Sequence, residues 1–304
     1  MVRFINLSGI LQETGFRIFW QFSRVKLLNR RDFLKVAGLA VGGGLVTATS
    51  YLALNDESQN PVIDNVPLPI KNLHPALEGF TILQITDLHL YPLTQPELIE
   101  KAVVMANKLK PDLVVLTGDY VWQELAAIDE LAPILTGLNA KYGVFSTLGN
   151  HDYWLNAEVI TTAMESAGLP VLINQGLSIQ HGRGSIYIAG LDDGWSGSPD
   201  LEATLDGAAA NEPVILLCHE PDLADQYALD SRIDVQLSGH THGGQIRLPG
   251  IGALILPYLG RKYDLGLYKI NDMLLYTNRG LGVISEPVRF NCPPEISQFV
   301  LHTA

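Results

Sequence analysis

Between residues 80 and 242 the chain repeats one arrangement five times: a short apolar run, then a polar loop carrying a side chain that binds metal ions. The runs are residues 80–86, 112–117, 142–148, 214–218 and 234–237. After them come Asp87 and His89, then Asp119, then Asn150 with His151 and Asp152, then His219, then His240 with His242. Runs this short and apolar read as buried strands, and helical patterning over 96–109, 124–138 and 157–167 makes the chain α/β. A further strand is predicted over 185–189, and 267–270 with 273–277 around Asn271-Asp272 reads as a hairpin. In open α/β sheets ligands bind outside the carboxyl ends of the strands, so loops far apart in sequence converge on one crevice.

Composition narrows what such a crevice serves. A formal net charge of −12 speaks against holding nucleic acid through many phosphate contacts, which needs a Lys/Arg surface, so no stable nucleic-acid partner is expected. An anionic substrate would need imported positive charge, and bound divalent cations supply it. The two cysteines, Cys218 and Cys292, form no CxxC spacing, which excludes a zinc ribbon or a disulfide scaffold.

The first part of the chain reads as an address. Arg30-Arg31 precede an apolar stretch over 36–54 that contains Gly42-Gly43-Gly44. This resembles a twin-arginine export signal, and the competing reading is a plain membrane anchor. The expected organisation is a leader over 1–54, a linker over 55–77 broken by Pro61, Pro67, Pro69 and Pro75, and one large domain over 78–304. With it goes an expected partner, the twin-arginine machinery. The expected location is the outer face of the cytoplasmic membrane, in the periplasm or on the cell-wall side, free or held by the leader.

Asp87-Leu88-His89 and Gly118-Asp119 are by themselves ordinary turn chemistry. Gly149-Asn150-His151-Asp152 and Gly239-His240-Thr241-His242 are far more specific. Paired histidines beyond a buried strand seldom serve packing, because each ring needs a hydrogen-bond partner. In this order the elements DxH, GD, GNHD, H and GHxH resemble the calcineurin-like metallophosphoesterase family. Leu217-Cys218-His219-Glu220-Pro221-Asp222, Gly243-Gly244-Gln245, Asn278-Arg279-Gly280 and Asn291-Cys292-Pro293-Pro294 look like its bacterial exported phosphodiesterase branch. Trp122 departs from the polar residue that many members carry three positions after the Asp of GD.

The resemblance implies a two-sheet β-sandwich flanked by helices, with the site at the carboxyl ends of the strands. It implies that Asp87, His89 and His242 bind one metal and Asn150, His219 and His240 another, with Asp119 bridging. Imidazole mixed with carboxylate suits Mn, Fe, Zn or Ni. The implied reaction is hydrolysis of a phosphodiester or phosphomonoester, with lipid- and nucleotide-linked substrates among those the resemblance implies, by a hydroxide shared between the two cations. His151 is expected to stabilise the transition state or protonate the departing alkoxide, with Asp152 orienting its ring. Two alternatives stand beside this: a metal-binding scaffold at the membrane that does not turn over substrate, and a hydrolase of another ester. Arg279 reads as a structural ion pair or as a phosphate contact, and His74, His181 and His302 as surface residues.

Overall fold

The structure is a computed structural model that describes residues 54–304. Apart from Leu54, the expected leader lies outside the described residues, and among these no helix is long and apolar enough to cross a membrane. One sheet holds β1 (Val62–Ile70), β2 (Thr81–Ile85), β3 (Leu113–Thr117), β4 (Val144–Thr147) and β13 (Glu295–Thr303), in the order β1-β13-β2-β3-β4. The other holds β5 (Gln175–His181), β6 (Gly184–Gly190), β7 (Val214–Leu217), β8 (Val235–Ser238), β11 (Gly266–Ile270) and β12 (Met273–Thr277). Its order is β11-β12-β8-β7-β6-β5, and β9 (Arg247–Leu248) with β10 (Gly252–Ala253) makes a separate hairpin. The longer helices are α1 (Pro96–Leu109), α2 (Ile128–Leu135), α3 (Asn150–Leu155) and α4 (Ala157–Ser166). Two shorter ones, α5 (Leu201–Leu205) and α6 (Ala224–Tyr227), complete the α-helices among the described residues.

Strand periodicity explains the layering. Successive side chains point to opposite faces, so Ile82 and Val115 pack between the sheets while Leu83, Ile85, Val114 and Leu116 pack under α1, α2 and α4. In the second sheet Ile215, Leu217, Val235 and Leu237 face the first. Val214, Leu216 and Leu275 face outward against Leu205, Ala224 and Tyr227 of α5 and α6. Both faces of the central strands are therefore buried, and these strands read as unbroken Val/Leu/Ile runs for that reason. The result is the expected pair of stacked sheets with helices outside.

The expectation of a linker over 55–77 is corrected in one part: Val62–Ile70 is strand β1. It lies at the sheet edge and pairs in parallel with β13 alone. An edge strand leaves half its N–H groups without a ladder partner, so Pro67 and Pro69, two positions apart, are tolerated there. Val66, Leu68 and Ile70 alternate with them and are buried.

β1 is also fastened by charge. The Arg279 guanidinium pairs with Asp64 of β1 and, through Nε at 2.6 Å, with buried Glu295 of β13. Of the two readings of Arg279 the ion pair is the one observed. Arg279→Met would leave the Glu295 carboxylate buried without its partner, so it is expected to lower unfolding stability by about 3 kcal/mol. Urea titration measures this, and a loss below about 1 kcal/mol would mean that the pair behaves as a solvated one.

Candidate metal centre

The carboxyl ends of β2, β3, β4, β7 and β8 meet at one edge of the sandwich. Asp87, Asp119, His219 and His240 each stand two residues beyond the strand that precedes them, which ends at Ile85, Thr117, Leu217 and Ser238 respectively. Asn150 opens α3 directly after Gly149. Five of these loop residues hold left-handed backbone: Asp87 (φ 52°), His89 (45°), Asp119 (57°), His240 (71°) and His242 (51°). For non-glycine residues that conformation costs about 1 kcal/mol or more each. Such strain concentrates where side-chain direction matters more than backbone comfort. Gly239 shows how tight the packing is, since a Cβ there would overlap Asp87 Oδ2 and Thr86 Oγ1.

All seven predicted ligands are brought together and buried. Asp119 Oδ2 lies 3.4 Å from His89 Nε2 and 3.2 Å from His219 Nε2. Asp87 Oδ1 lies 3.4 Å from His242 Nε2 and 3.9 Å from both His89 Nε2 and His219 Nε2. Donor atoms of Asp87, His89 and His242 fall within 4.8 Å of one another, as do those of Asp119, His219 and His240. A third such group joins His89 and Asp119 with His151. Asn150, His89, Asp119, His240 and His242 line a cavity of about 220 Å³ at this point. Larger grooves of about 590 and 770 Å³ lie elsewhere, one between 208–214 and 228–234 and one between 128–133 and 158–167. Neither contains a group of converging metal donors among the described residues.

The hydrogen bonding fits a cation. His219 Nδ1 is engaged by the Thr117 carbonyl at 2.7 Å and His240 Nε2 by the Tyr258 carbonyl at 2.7 Å. Each contact fixes a ring and leaves its other nitrogen facing the centre. His219 Nε2, both nitrogens of His89 and Asn150 Oδ1 are buried without a hydrogen-bond partner. Each such atom costs about 1–3 kcal/mol; one His89 nitrogen carries the ring proton, which leaves three lone pairs at one spot that call for a ligand to accept them. Electrostatics agree. Burial and the charge of His219 depress His240 to about 3, and burial, His89 and Arg289 hold His242 well below its ordinary value. Both rings are thus neutral, the form that binds metal. Burial opposes charge on Asp119, but His219 and His89 outweigh it and hold the carboxyl far down.

His151 and Asp152 divide differently from the sequence expectation. His151 is partly exposed at the cavity mouth, its ring edge-on to His89 at 4.8 Å and tilted against Trp154 at 4.6 Å. Burial pushes its pKa down to about 4, with Asp119 opposing. Asp152 was expected to orient this ring, and it does not. Its Oδ2 accepts the N–H groups of Asp119 (2.8 Å) and Gly149 (3.0 Å), and its Oδ1 that of Tyr120 (2.9 Å). Consecutive helical side chains diverge by about 100°, so Asp152 turns away and clamps the Asp119 loop. His151 reaches the same loop by its backbone, donating to Asp119 Oδ1 at 2.9 Å.

Residues 80–244 match the calcineurin-like phosphoesterase family. The chain belongs to that family. It is 37% identical to the uncharacterised metallophosphoesterase YkuE of Bacillus subtilis, over 91% of this chain and 99% of that one. It is 33% identical to the phosphodiesterase YaeI of Escherichia coli, over 73% of this chain and 82% of that one. A transmembrane protein with a metallophosphoesterase domain from Danio rerio is 30% identical over 86% of this chain, which spans only 62% of that protein.

Three supports of this phosphoesterase site carried no signal in the sequence. The Thr117 and Tyr258 carbonyls are backbone groups, which any residue supplies. Arg289 is fully buried, and its Nη2 donates to the carbonyls of Gly282 (2.6 Å) and Arg279 (2.8 Å) while lying 3.2 Å from His242 Nδ1. The other histidines are structural. His74 Nδ1 accepts the Ala76 N–H at 3.1 Å, His181 meets Tyr142 Oη at 3.1 Å, and His302 pairs with Glu78 at 2.9 Å. Cys218 and Cys292 are both buried and free.

Proposed function

We propose that this protein hydrolyses phosphodiesters at a centre of two divalent cations. Asp87, His89 and His242 would hold one ion, Asn150, His219 and His240 the other, and Asp119 would lie between them. The observation that carries the reading is Asp119 Oδ2, within 3.4 Å of a nitrogen from each set. When bound, such cations draw charge from the phosphoryl oxygens and acidify a water.

The chain's own residues do the rest. Asp152 holds the Asp119 loop in its left-handed turn through the N–H groups of Asp119 and Tyr120, and caps its own helix through that of Gly149. Thr117 and Tyr258 fix two imidazoles, so little reorganisation is left for the moment of reaction. His151 stands at the mouth, where its ring reaches a phosphoryl or leaving-group oxygen. The small cavity admits the phosphoryl group and little bulk water. Purified protein assayed on aryl phosphodiesters and monoesters, with Mn, Zn or Ni in turn, tests the reading. Metal bound without turnover in every combination would favour the scaffold.

Export by the twin-arginine route to the periplasm or cell-wall side belongs to the same proposal. Arg30-Arg31 and the apolar stretch after them support it, and a pathway that carries folded proteins suits a cofactor loaded before transport. Arg30→Lys with Arg31→Lys is expected to leave the protein in the cytoplasm on fractionation. Unchanged export would refute the route.

A further inference from the structure

The described residues carry eleven large exposed apolar side chains; Trp154, Trp195 and Tyr258 stand at or beside the mouth of the metal centre, and Ile251, Leu254 and Ile255 lie in the segment that leads to Tyr258, whose backbone at Ile255 passes close to Gly244. The three rings are continuous with the site. Trp154 packs on His151 at 4.6 Å and on Trp195 at 5.0 Å, and Trp195 meets His240 at 5.9 Å and Tyr258 at 5.3 Å. The segment that leads to Tyr258 is aliphatic. The β9–β10 hairpin turns at Pro249-Gly250, with Gly250 at φ 75° and the Ile251 N–H returned to the Leu248 carbonyl at 3.1 Å. These are the features of a type II turn. It presents Ile251 at 73% exposure, and the following strand and loop present Leu254 at 56% and Ile255 at 81%. Leaving such side chains in water costs about 1.5–3 kcal/mol each relative to full burial, and a cluster this size marks an interaction surface.

We propose that this hairpin docks on a lipid surface and presents the metal centre to phosphoesters carried by lipid head groups. The substrate part of this proposal rests on the phosphoesterase reading, while the docking part does not. Three observations select lipid as the occupant. An aliphatic tip with a collar of tryptophan and tyrosine matches the order from bilayer interior to head-group level, where amphipathic rings settle. No Asp or Glu occurs between Asp234 and Asp264, in a chain of net charge −12, and Arg261 in that stretch is exposed. The hairpin and the loop after it therefore bring no carboxylate of their own against anionic lipid, and the neighbouring Asp222 and Asp225 are engaged by the 261–263 backbone and by Lys262. Finally, the cavity of about 220 Å³ is smaller than a typical small-molecule pocket. It takes a head-group phosphate and leaves the rest of a substrate outside, along the aromatic rim.

The test uses the full chain with an environment-sensitive fluorophore on Ile255→Cys. Cys218 and Cys292 are fully buried and stay unlabelled in the folded protein. Leu229→Cys is the control, 79% exposed beside the groove between 208–214 and 228–234. With vesicles of equal parts phosphatidylcholine and phosphatidylglycerol, the label at 255 is expected to shift to the blue and brighten several-fold, while that at 229 stays aqueous. A label at 255 that stays aqueous on vesicles overturns the docking, even if the leader tethers the chain to them. A label already dry without vesicles also overturns it, because the face is then covered by the chain itself or by another copy. Leu254→Ser with Ile255→Ser should lower hydrolysis of a vesicle-borne phosphodiester about tenfold or more and leave that of a soluble aryl phosphodiester unchanged. Equal loss on both substrates refutes the lipid assignment. A dry label with no hydrolysis of either substrate would support docking and refute the phosphoesterase reading.

Discussion

Asp119→Ala is expected to abolish retention of the metal pair and to lower phosphodiester hydrolysis by about 10³-fold or more, since cation stabilisation of the transition state is worth several kcal/mol. The cause is geometric. Asp119 Oδ2 is the one carboxylate oxygen within 3.4 Å of both His89 and His219, and on the proposed two-cation reading no neighbour would take its place between the ions. Thermal unfolding separates this from a folding defect. A ligand present at about a hundred times its Kd stabilises the folded state by about 2.7 kcal/mol, so the wild type should melt several degrees higher with added Mn. The variant should melt at the same temperature with or without it. A variant that still gains stability from Mn and keeps its turnover would contradict the bridging role.

His151→Ala is expected to leave metal content unchanged and to reduce turnover by about 10²–10⁴-fold, the range associated with a positioned proton donor or acceptor. Its ring lies at the cavity mouth, stacked edge-on to His89 rather than behind it. Metal analysis of the purified variant decides the matter, because His151 also falls within reach of His89 and Asp119 as a third donor group. Equal metal loss in His151→Ala and Asp119→Ala would make His151 a ligand instead. Asp152 gives a useful contrast. Its carboxylate holds backbone N–H groups, so Asp152→Ala should loosen the Asp119 loop without removing any donor.

The cluster of candidate ligands was legible because each donor sits just beyond a strand whose buried core shows as a run of Val, Leu and Ile. Strand end and ligand are neighbours in sequence, so local pattern carries the information. The roles of adjacent residues were less legible: His151-Asp152 looks like a coupled pair on paper, yet helix geometry sends the two side chains apart. β1 and β13 were missed because the first carries prolines and the second mixes Glu295, Ser297, Gln298 and His302 among its apolar residues. Their identity as strands comes from pairing, β1 with β13 and β13 with both β1 and β2, a long-range fact that no local window contains. Arg289 was invisible for the same reason, since its partners are carbonyls brought in by loop folding.

The place of β13 has a consequence for how the protein is made. It lies between β1 and β2, so the first sheet stays open until residues 295–303 have left the ribosome. Earlier segments emerge with the flank of β2 unpaired, which invites mispairing with other nascent chains. Assembly that waits on contacts so distant along the chain is slow. A nascent chain that has not yet delivered residues 295–303 therefore carries an open strand edge.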